Sequence, residues 1–116
     1  MRPALFAAAV AGAFLTASSA SAASFDCGKA RAPDEKAICA TLSLNDQDVR
    51  MAELYRIVRK VVPMGARGAI MDDQAVWLRD RRRCGADRAC LTRSYARRIG
   101  QLNAVLEERV YPNGPF

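Results

Sequence analysis

The sequence predicts an all-α fold, a small disulfide-stapled helical bundle of one short and three longer helices that follows a cleaved signal peptide. Apolar residues recur at spacings of three and four along most of the chain, which is the period of an amphipathic helix. No segment shows the two-residue alternation of a half-buried strand. The chain has 116 residues and four cysteines, a combination that favours a small fold held together by disulfides.

Residues 1–22 are predicted to be a secretory signal peptide. The chain opens with the basic tripeptide MRP, runs apolar over residues 4–15, and then turns to small residues that include the tripeptide ASA. This order is typical of an exported protein, and the apolar run is shorter than the roughly 20 residues of a membrane span. We expect cleavage after Ala22 or Ala23. The remaining residues, 23–116, form one domain that is periplasmic or secreted from a bacterial cell.

All four cysteines lie beyond the predicted signal peptide, at Cys27, Cys39, Cys84 and Cys90. Exported proteins form disulfides readily, and small domains need them. A metal site is not expected, because the chain has no CxxC spacing and no histidine. We expect two local disulfides, Cys27–Cys39 and Cys84–Cys90, because each joins the ends of a short segment.

The first part of the domain is predicted to be an extended lead-in followed by the short helix. Residues 24–32 show no periodicity and are expected to be tied down by Cys27. Pro33 marks the helix start, because proline suits the first turn. Asp34 and Glu35 follow it, where acidic side chains suit the positive end of the helix dipole.

The second helix is predicted to begin at Ser43 and to end near Val62. Ser43 is expected to cap it, with Asp46 three residues later as an imperfect capping box. Pro63 and Gly65 are expected to break the helix.

The third and fourth helices are predicted to meet at a tight corner. The third should start near residues 67–69 and run to about Arg83. Gly85 is a natural C-terminal cap, and Asp87 is expected to cap the fourth helix, which should run to about Val110. The second predicted disulfide clamps this corner, and the arginines before it suit the negative end of the helix dipole.

The inward stripes of the three long helices are mostly apolar, but each contains polar residues. These are Asp48 on the second helix, Gln74 and Arg81 on the third, and Arg98 on the fourth. A charge inside a bundle is costly unless it is paired and hydrogen-bonded. We therefore predict a polar network in which Asp48 pairs with Arg81 or Arg98. Two interpretations stay open: a structural network that fixes helix register, or a polar pocket that opens to a ligand.

The sequence predicts that the protein is not an enzyme and binds no cofactor. With no histidine, and with the cysteines in disulfides, the usual Ser/His and Cys/His nucleophile–base sets are absent. No glycine-rich phosphate loop is present. Nucleic-acid binding is not expected either, because the basic residues are not interleaved with aromatic ones and the protein is predicted to be exported.

The net charge of +6 favours anionic partners, although it also describes an ordinary solvated surface. Removal of Arg2 with the signal peptide would lower it by one. An anionic polymer, lipid headgroups or an acidic protein are the partners that a basic surface would suit. The candidate basic surface consists of Arg79, Arg82, Arg83, Arg93 and Arg97.

Three motifs together resemble the LprI-type lysozyme inhibitor domain, a family of small exported bacterial proteins. They are FDCGKARAPDEKAIC, QAVWLRDRRRC and CLTRSYARRIGQL, with Leu44, Asp48 and Tyr55 between the first two. The resemblance runs from Phe25 to about Leu102. It implies a small helical domain with disulfides in the periplasm or outside the cell. For one branch of the family it implies inhibition of lysozyme, and hence a protein partner.

The chain departs from the family pattern at two positions. Gln47 stands where the family usually has leucine, and Arg82 stands where it often has aspartate. The second change makes the corner more basic, whereas common animal-type lysozymes are themselves strongly basic. Such an inhibitor would need a local acidic or apolar epitope to overcome unfavourable steering. We therefore expect a non-enzymatic exported binding module. Lysozyme inhibition is its leading form, and binding to anionic envelope material is the alternative.

Overall fold

A computed structural model describes residues 23–114, so the predicted signal peptide, residues 1–22, lies outside the described residues. Within this range the chain forms helices and no strand. The predicted all-α bundle with one short and three longer helices is confirmed. The helices are α1 (Pro33–Ala40), α2 (Leu42–Val61), α3 (Met64–Arg83) and α4 (Arg88–Val105).

The lead-in before α1 contains one 3-10 turn, Cys27–Lys29. Pro33 occupies the first turn of α1 as predicted, followed by two acidic residues. The carboxylate of Glu35 accepts a hydrogen bond from the backbone N–H of Arg31 at 3.2 Å. This bond ties the end of the lead-in to the first turn of the helix.

The start of α2 differs from the prediction that Ser43 caps it. Thr41 holds the cap position, and Ser43 lies inside the first turn. Thr41 is extended, with φ of −119° and ψ of 110°, and its carbonyl accepts the N–H of Asn45 at 2.9 Å. Because this single extended residue separates α1 from α2, the new helix begins at Leu42. It ends at Val61, close to the predicted end.

The predicted start of α3 near residues 67–69 is too late. The helix begins at Met64, with Pro63 in the cap position. A proline there loses nothing by lacking an N–H, and its restricted φ is compatible with a helix start. Gly65 costs up to about 1 kcal/mol inside a helix relative to alanine, which is too little to prevent the first turn from forming.

The corner between α3 and α4 is confirmed as predicted. Gly85 has a φ of +57°, the left-handed conformation that ends many helices and that residues with a Cβ adopt at a cost. Asp87 caps α4, and its Oδ1 accepts the N–H of Cys90 at 3.1 Å. After α4 the path continues through a π-helical turn, Leu106–Val110, close to the predicted end of the fourth helix.

Both predicted disulfides are confirmed. Cys27 is bonded to Cys39 across 12 positions, and Cys84 to Cys90 across 6. The first holds the lead-in against α1, and the second closes the corner. All four cysteines are therefore used in local staples.

The hydrophobic core lies mainly between α2 and α4, with α1 and α3 packed beside them. It extends into the π-helical turn, whose apolar side chains are also buried. This continuity explains why the chain stays helical beyond the last α-helical turn. The buried apolar residues are Ile38, Leu44, Met51, Val58, Val62, Ile70, Trp77, Leu91, Tyr95, Ile99, Leu102, Leu106 and Val110.

Helix α3 is held along one narrow stripe. Its buried residues, Ile70, Gln74, Trp77 and Arg81, follow one another at spacings of three and four. Its other faces carry exposed apolar side chains, which include Met71, Val76 and Leu78. Across residues 23–114, no helix combines the length and the apolar character that crossing a membrane requires.

The two disulfides should contribute unequally to stability. Replacing both cysteines of a pair by serine removes a chain constraint whose effect grows with loop length. We expect a loss of roughly 3 kcal/mol for the Cys27–Cys39 pair and roughly 2 kcal/mol for the Cys84–Cys90 pair. Chemical denaturation of the two double variants measures both losses. A larger loss for the shorter loop would contradict the prediction.

Candidate functional site

A buried network centred on Arg81 joins the helices. Arg81 Nε donates to Asp34 Oδ2 at 2.9 Å, and Arg81 Nη1 donates to the hydroxyl of Tyr95 at 3.2 Å. That hydroxyl in turn donates to Asp48 Oδ1 at 2.8 Å. Arg81 Nη1 and Asp48 Oδ1 themselves lie 3.9 Å apart. The tyrosine hydroxyl therefore mediates most of the contact between this arginine and Asp48.

Each of the four helices supplies one member of this network. Asp34 comes from α1, Asp48 from α2, Arg81 from α3 and Tyr95 from α4. Asp34, Asp48 and Tyr95 are completely buried, and Arg81 is 5% exposed. A buried ion pair contributes little net stability, but removing one partner costs about 3–5 kcal/mol because it strands the other charge. The network therefore penalises any arrangement in which one helix is displaced.

Aromatic rings surround the guanidinium of Arg81. Its central carbon lies 5.6 Å from the ring centre of Phe25 and 5.8 Å from that of Trp77. Trp77 also packs edge-on against Tyr95, with ring centres 5.2 Å apart, and its Nε1 donates to a backbone carbonyl of α4. Although burial works against its charge, interactions with Tyr95 and Asp34 raise the pKa of Arg81. The side chain stays charged inside the bundle.

The environment of Tyr95 keeps its hydroxyl protonated. Burial and the neighbouring charge of Asp48 raise its pKa far above the usual value of 10. A tyrosine of this kind donates a hydrogen bond and does not act as a base near neutral pH. The hydroxyl of Tyr95 is thus suited to hold structure through its two buried hydrogen bonds.

A second polar cluster surrounds Arg98. Arg98 Nε donates to Gln74 Oε1 at 2.9 Å, and Nη1 donates to Gln101 at 3.3 Å. The amide of Gln74 contacts Met51 Sδ at 3.2 Å. Arg98 Nη2 is buried and has no hydrogen-bond partner among the described residues. Burial lowers the pKa of Arg98, and the charge of Asp73 opposes this effect.

The predicted polar residues therefore divide between two clusters. Asp48 and Arg81 lie in the first cluster, and Gln74 and Arg98 lie in the second. Among the described residues, Arg98 bonds to Gln74 and Gln101 and forms no ion pair with Asp48. Sequence reasoning missed Asp34, which was assigned only to the helix dipole. Its position four residues before the buried Ile38 places both on one face of α1 and was the available signal.

A groove of about 340 Å³ lies between α3 and α4. Val76 and Trp77 form part of its apolar wall, and Arg98 of the second cluster also lines it. Asp73 and Asp80 line it from α3, opposite Arg97 and Arg98 of α4. The groove thus combines apolar surface with charges of both signs.

A second cleft of about 340 Å³ lies on the other side of α3, facing α2. Arg81 forms part of its wall, with Tyr55 and Leu78 beside it. Ser24 and Phe25 of the lead-in border the cleft. Helix α3 accordingly has an open hollow on each flank, and the two buried clusters lie behind them.

The five arginines of the predicted basic surface are all exposed, but they do not border one hollow. Arg97 lines the groove between α3 and α4, whereas Arg82 lines the cleft on the α2 side. Arg83 pairs with Asp80 at 3.2 Å. Arg79 and Arg93 complete the set on the surfaces of α3 and α4.

Another basic cluster, not anticipated from the sequence, lies where α2 ends and α3 begins. It borders a hollow of about 260 Å³. Arg56 is paired with Glu53, and Arg59 stacks over the ring of Tyr55 at 5.3 Å. The residues are separated along the chain by a helix end, so their proximity was not readable from spacing. They are Arg56, Arg59, Lys60 and Arg67.

No metal-binding chemistry emerges from the part of the chain that the structure describes. Among residues 23–114, no three side chains of the histidine, cysteine, aspartate and glutamate types come together as a possible metal site. Comparison of the chain with protein-family models, with curated proteins and with solved structures finds no match.

Asp34 and Arg81 should be energetically coupled, whereas Asp48 and Arg98 should not. A double-mutant cycle of Asp34→Asn with Arg81→Gln should give a coupling energy of about 0.5–3 kcal/mol, because the two side chains touch. The matched control is Asp48→Asn with Arg98→Gln, for which we expect additivity within about 0.5 kcal/mol. Denaturant titration supplies each free energy of unfolding. Additive losses in the first cycle would show that Asp34 and Arg81 are not coupled and would contradict the network.

Replacing Tyr95 by phenylalanine should lower the free energy of unfolding by about 1–3 kcal/mol, since Asp48 and Arg81 each lose a buried hydrogen-bond partner. The difference should depend on pH. Because the pKa of Tyr95 is raised in the folded protein, the unfolded chain releases this proton first, above pH 10. The advantage of the tyrosine is therefore complete below pH 10 and shrinks as the pH rises further. A difference that grows above pH 10 would contradict this assignment.

Proposed function

We propose that the domain is a non-enzymatic exported binding module that contacts another protein through the groove between α3 and α4, with lysozyme inhibition as its leading form. The observation that carries the proposal is the groove itself. It places a half-exposed apolar side chain, Val76, beside charged residues from two helices. Exposed apolar surface rimmed by polar groups is characteristic of protein contacts.

The mixed charge of the groove supports a protein partner over a polyanion. Asp73 and Asp80 would repel a phosphate-rich or carboxylate-rich polymer that approached Arg97 and Arg98. A protein surface can present both signs of charge and match both sides of the groove. The buried guanidinium of Arg98 has no carboxylate within ion-pair distance among the described residues, so an acidic group of a partner would suit this wall.

Helix α3 also offers the local epitope that a basic partner requires. Residues 71–80 contain three aspartates and one arginine, so this stretch is acidic within a basic chain. Met71 and Val76 on the same stretch are each 47% exposed. An acidic and apolar surface on α3 would offset the unfavourable steering between two positively charged proteins.

Lysozyme is proposed as the partner because of the resemblance to the LprI-type inhibitor domain. The resemblance rests on the order of the cysteines and on Gln74, Trp77, Arg81, Tyr95 and Arg98. Four of these five are members of the two buried clusters, and the fifth, Trp77, packs against the network around Arg81. They would therefore hold α3 in place, while the exposed residues of α3 contact the partner. Disulfides at the lead-in and at the corner suit a protein that works outside the cytoplasm.

The test is lysis of bacterial cell walls by several lysozymes, with the protein in molar excess. We expect protection, and we expect Val76→Lys to weaken it by a factor of ten or more, because a charge in an apolar contact costs at least ~1.4 kcal/mol. Val49→Lys is the matched control: Val49 is also a half-exposed valine, on the outer side of α2, and its variant should protect as the parent does.

Two results would contradict the proposal. If both variants weakened protection equally, the groove would not be the contact surface. Absence of protection against every lysozyme tested would exclude this inhibition. If the protein were then retained on anionic vesicles or wall polymer and released by salt, the alternative function of a cationic envelope-binding domain would replace it. The basic cluster at the junction of α2 and α3 is the observation that favours this alternative.

A further inference from the structure

The lead-in joins the fold at the buried carboxylate of Asp48. The backbone nitrogen of Ser24 donates to Asp48 Oδ2 at 2.6 Å. The other oxygen of the carboxylate, Oδ1, accepts the hydroxyl of Tyr95. Asp48 is fully buried, whereas Ser24 lies at the surface. The backbone nitrogen of an exposed residue thus contacts one oxygen of a buried carboxylate.

The charges around this carboxylate do not balance. Asp34 and Asp48 are both fully buried, and Arg81 is the one guanidinium that contacts their network among the described residues. Arg81 bonds directly to Asp34 at 2.9 Å but lies 3.9 Å from Asp48. At the mouth of the adjoining cleft, Glu35 and Arg82 carry opposite charges that offset one another. The buried set therefore carries one negative charge in excess, on the side where Ser24 lies.

The predicted cleavage site supplies the missing positive charge. Small residues precede both candidate bonds, so the sequence allows a cut after Ala22 or after Ala23. A cut after Ala23 makes Ser24 the first residue, and its nitrogen becomes an α-ammonium group. A cut after Ala22 leaves that nitrogen as a neutral amide. A hydrogen bond between an ammonium group and a carboxylate is roughly twice as strong as one between neutral groups.

We propose that the precursor is cleaved between Ala23 and Ser24 and that the new α-ammonium group of Ser24 forms an ion pair with Asp48. In the cleavage, the C–N bond between the two residues breaks and water adds to the carbonyl carbon of Ala23. Ala23 leaves as a carboxylate, and both water protons end on the nitrogen of Ser24. The catalyst is a peptidase that recognises small residues, and this domain is its substrate.

The ion pair neutralises the buried set and couples maturation to the stability of the bundle. Before cleavage, Asp48 accepts hydrogen bonds from two neutral donors among the described residues. After cleavage it has a cation at the position that the Ser24 amide already occupies, so no rearrangement is required. The inference rests on the export that the first residues predict, and it is independent of the partner that the domain binds.

The first test is the intact mass of the protein after export. The full chain is expressed in a bacterial host, and the mature form is recovered from the periplasm or the medium. We expect the mass of residues 24–116 with both disulfides formed. A mature form that begins at Ala23, or at any residue other than Ser24, would overturn the proposal.

The second test compares the mature protein with a form acetylated on the nitrogen of Ser24. Acetylation keeps the N–H donor and removes the charge. We expect a Tm lower by roughly 4–8 °C, the shift that a small domain shows for the loss of one such interaction. An unchanged Tm would contradict the ion pair.

Asp48→Asn is the matched control, because it removes the carboxylate and should abolish the difference between the free and acetylated forms. Should this variant fail to fold, the labelling rate of the α-amine decides. In the parent protein an activated ester at neutral pH should label the amine at least several-fold more slowly than in the same protein unfolded in denaturant. Equal rates would show that the amine is unpaired and would overturn the proposal.

Discussion

The buried hydrogen-bond network around Arg81 links the four helices of the bundle to one another. Its guanidinium has donors in a fixed planar fork, so each partner must lie at a set position. One partner is Asp34 of α1, and another is Tyr95 of α4, which passes the contact on to Asp48 of α2. Sliding a helix by one turn, about 5.4 Å, would strand a buried charge. The network therefore selects one register for helices whose apolar stripes would accept several.

The disulfides reinforce the same arrangement. Cys39 lies one helical turn and a residue beyond Asp34 in α1, and Cys84 lies three residues beyond Arg81 at the end of α3. Each staple thus holds a segment close to a member of the network. A small domain has limited apolar area to bury, so covalent constraints near its costliest buried charges stabilise it where displacement would be most harmful.

The polar residues were predicted to form either a structural network or a ligand pocket. The structure has buried polar clusters and, next to them, open hollows on both flanks of α3. Gln74 and Arg81 fasten the inner stripe of α3, and this narrow attachment leaves hollows on both of its flanks. The hollow facing α4 carries the proposed protein contact, and the hollow facing α2 receives the lead-in and the nitrogen of Ser24. A helix held by few but demanding contacts can be rigid in position and still accessible along its sides.

The sequence by itself determined the helices, their approximate ends and both disulfides, because periodicity, capping residues and short cysteine spacings act locally. Local signals misled at Ser43 and Gly65, where a single extended residue and an N-terminal proline set the helix starts. The sequence also placed Asp48, Gln74, Arg81 and Arg98 inside. Only the tertiary structure decided their partners, since Asp34 and Asp48 are each 47 positions from the residue they contact. Such pairings depend on how the helices pack, and the spacing of residues along the chain does not predict that packing.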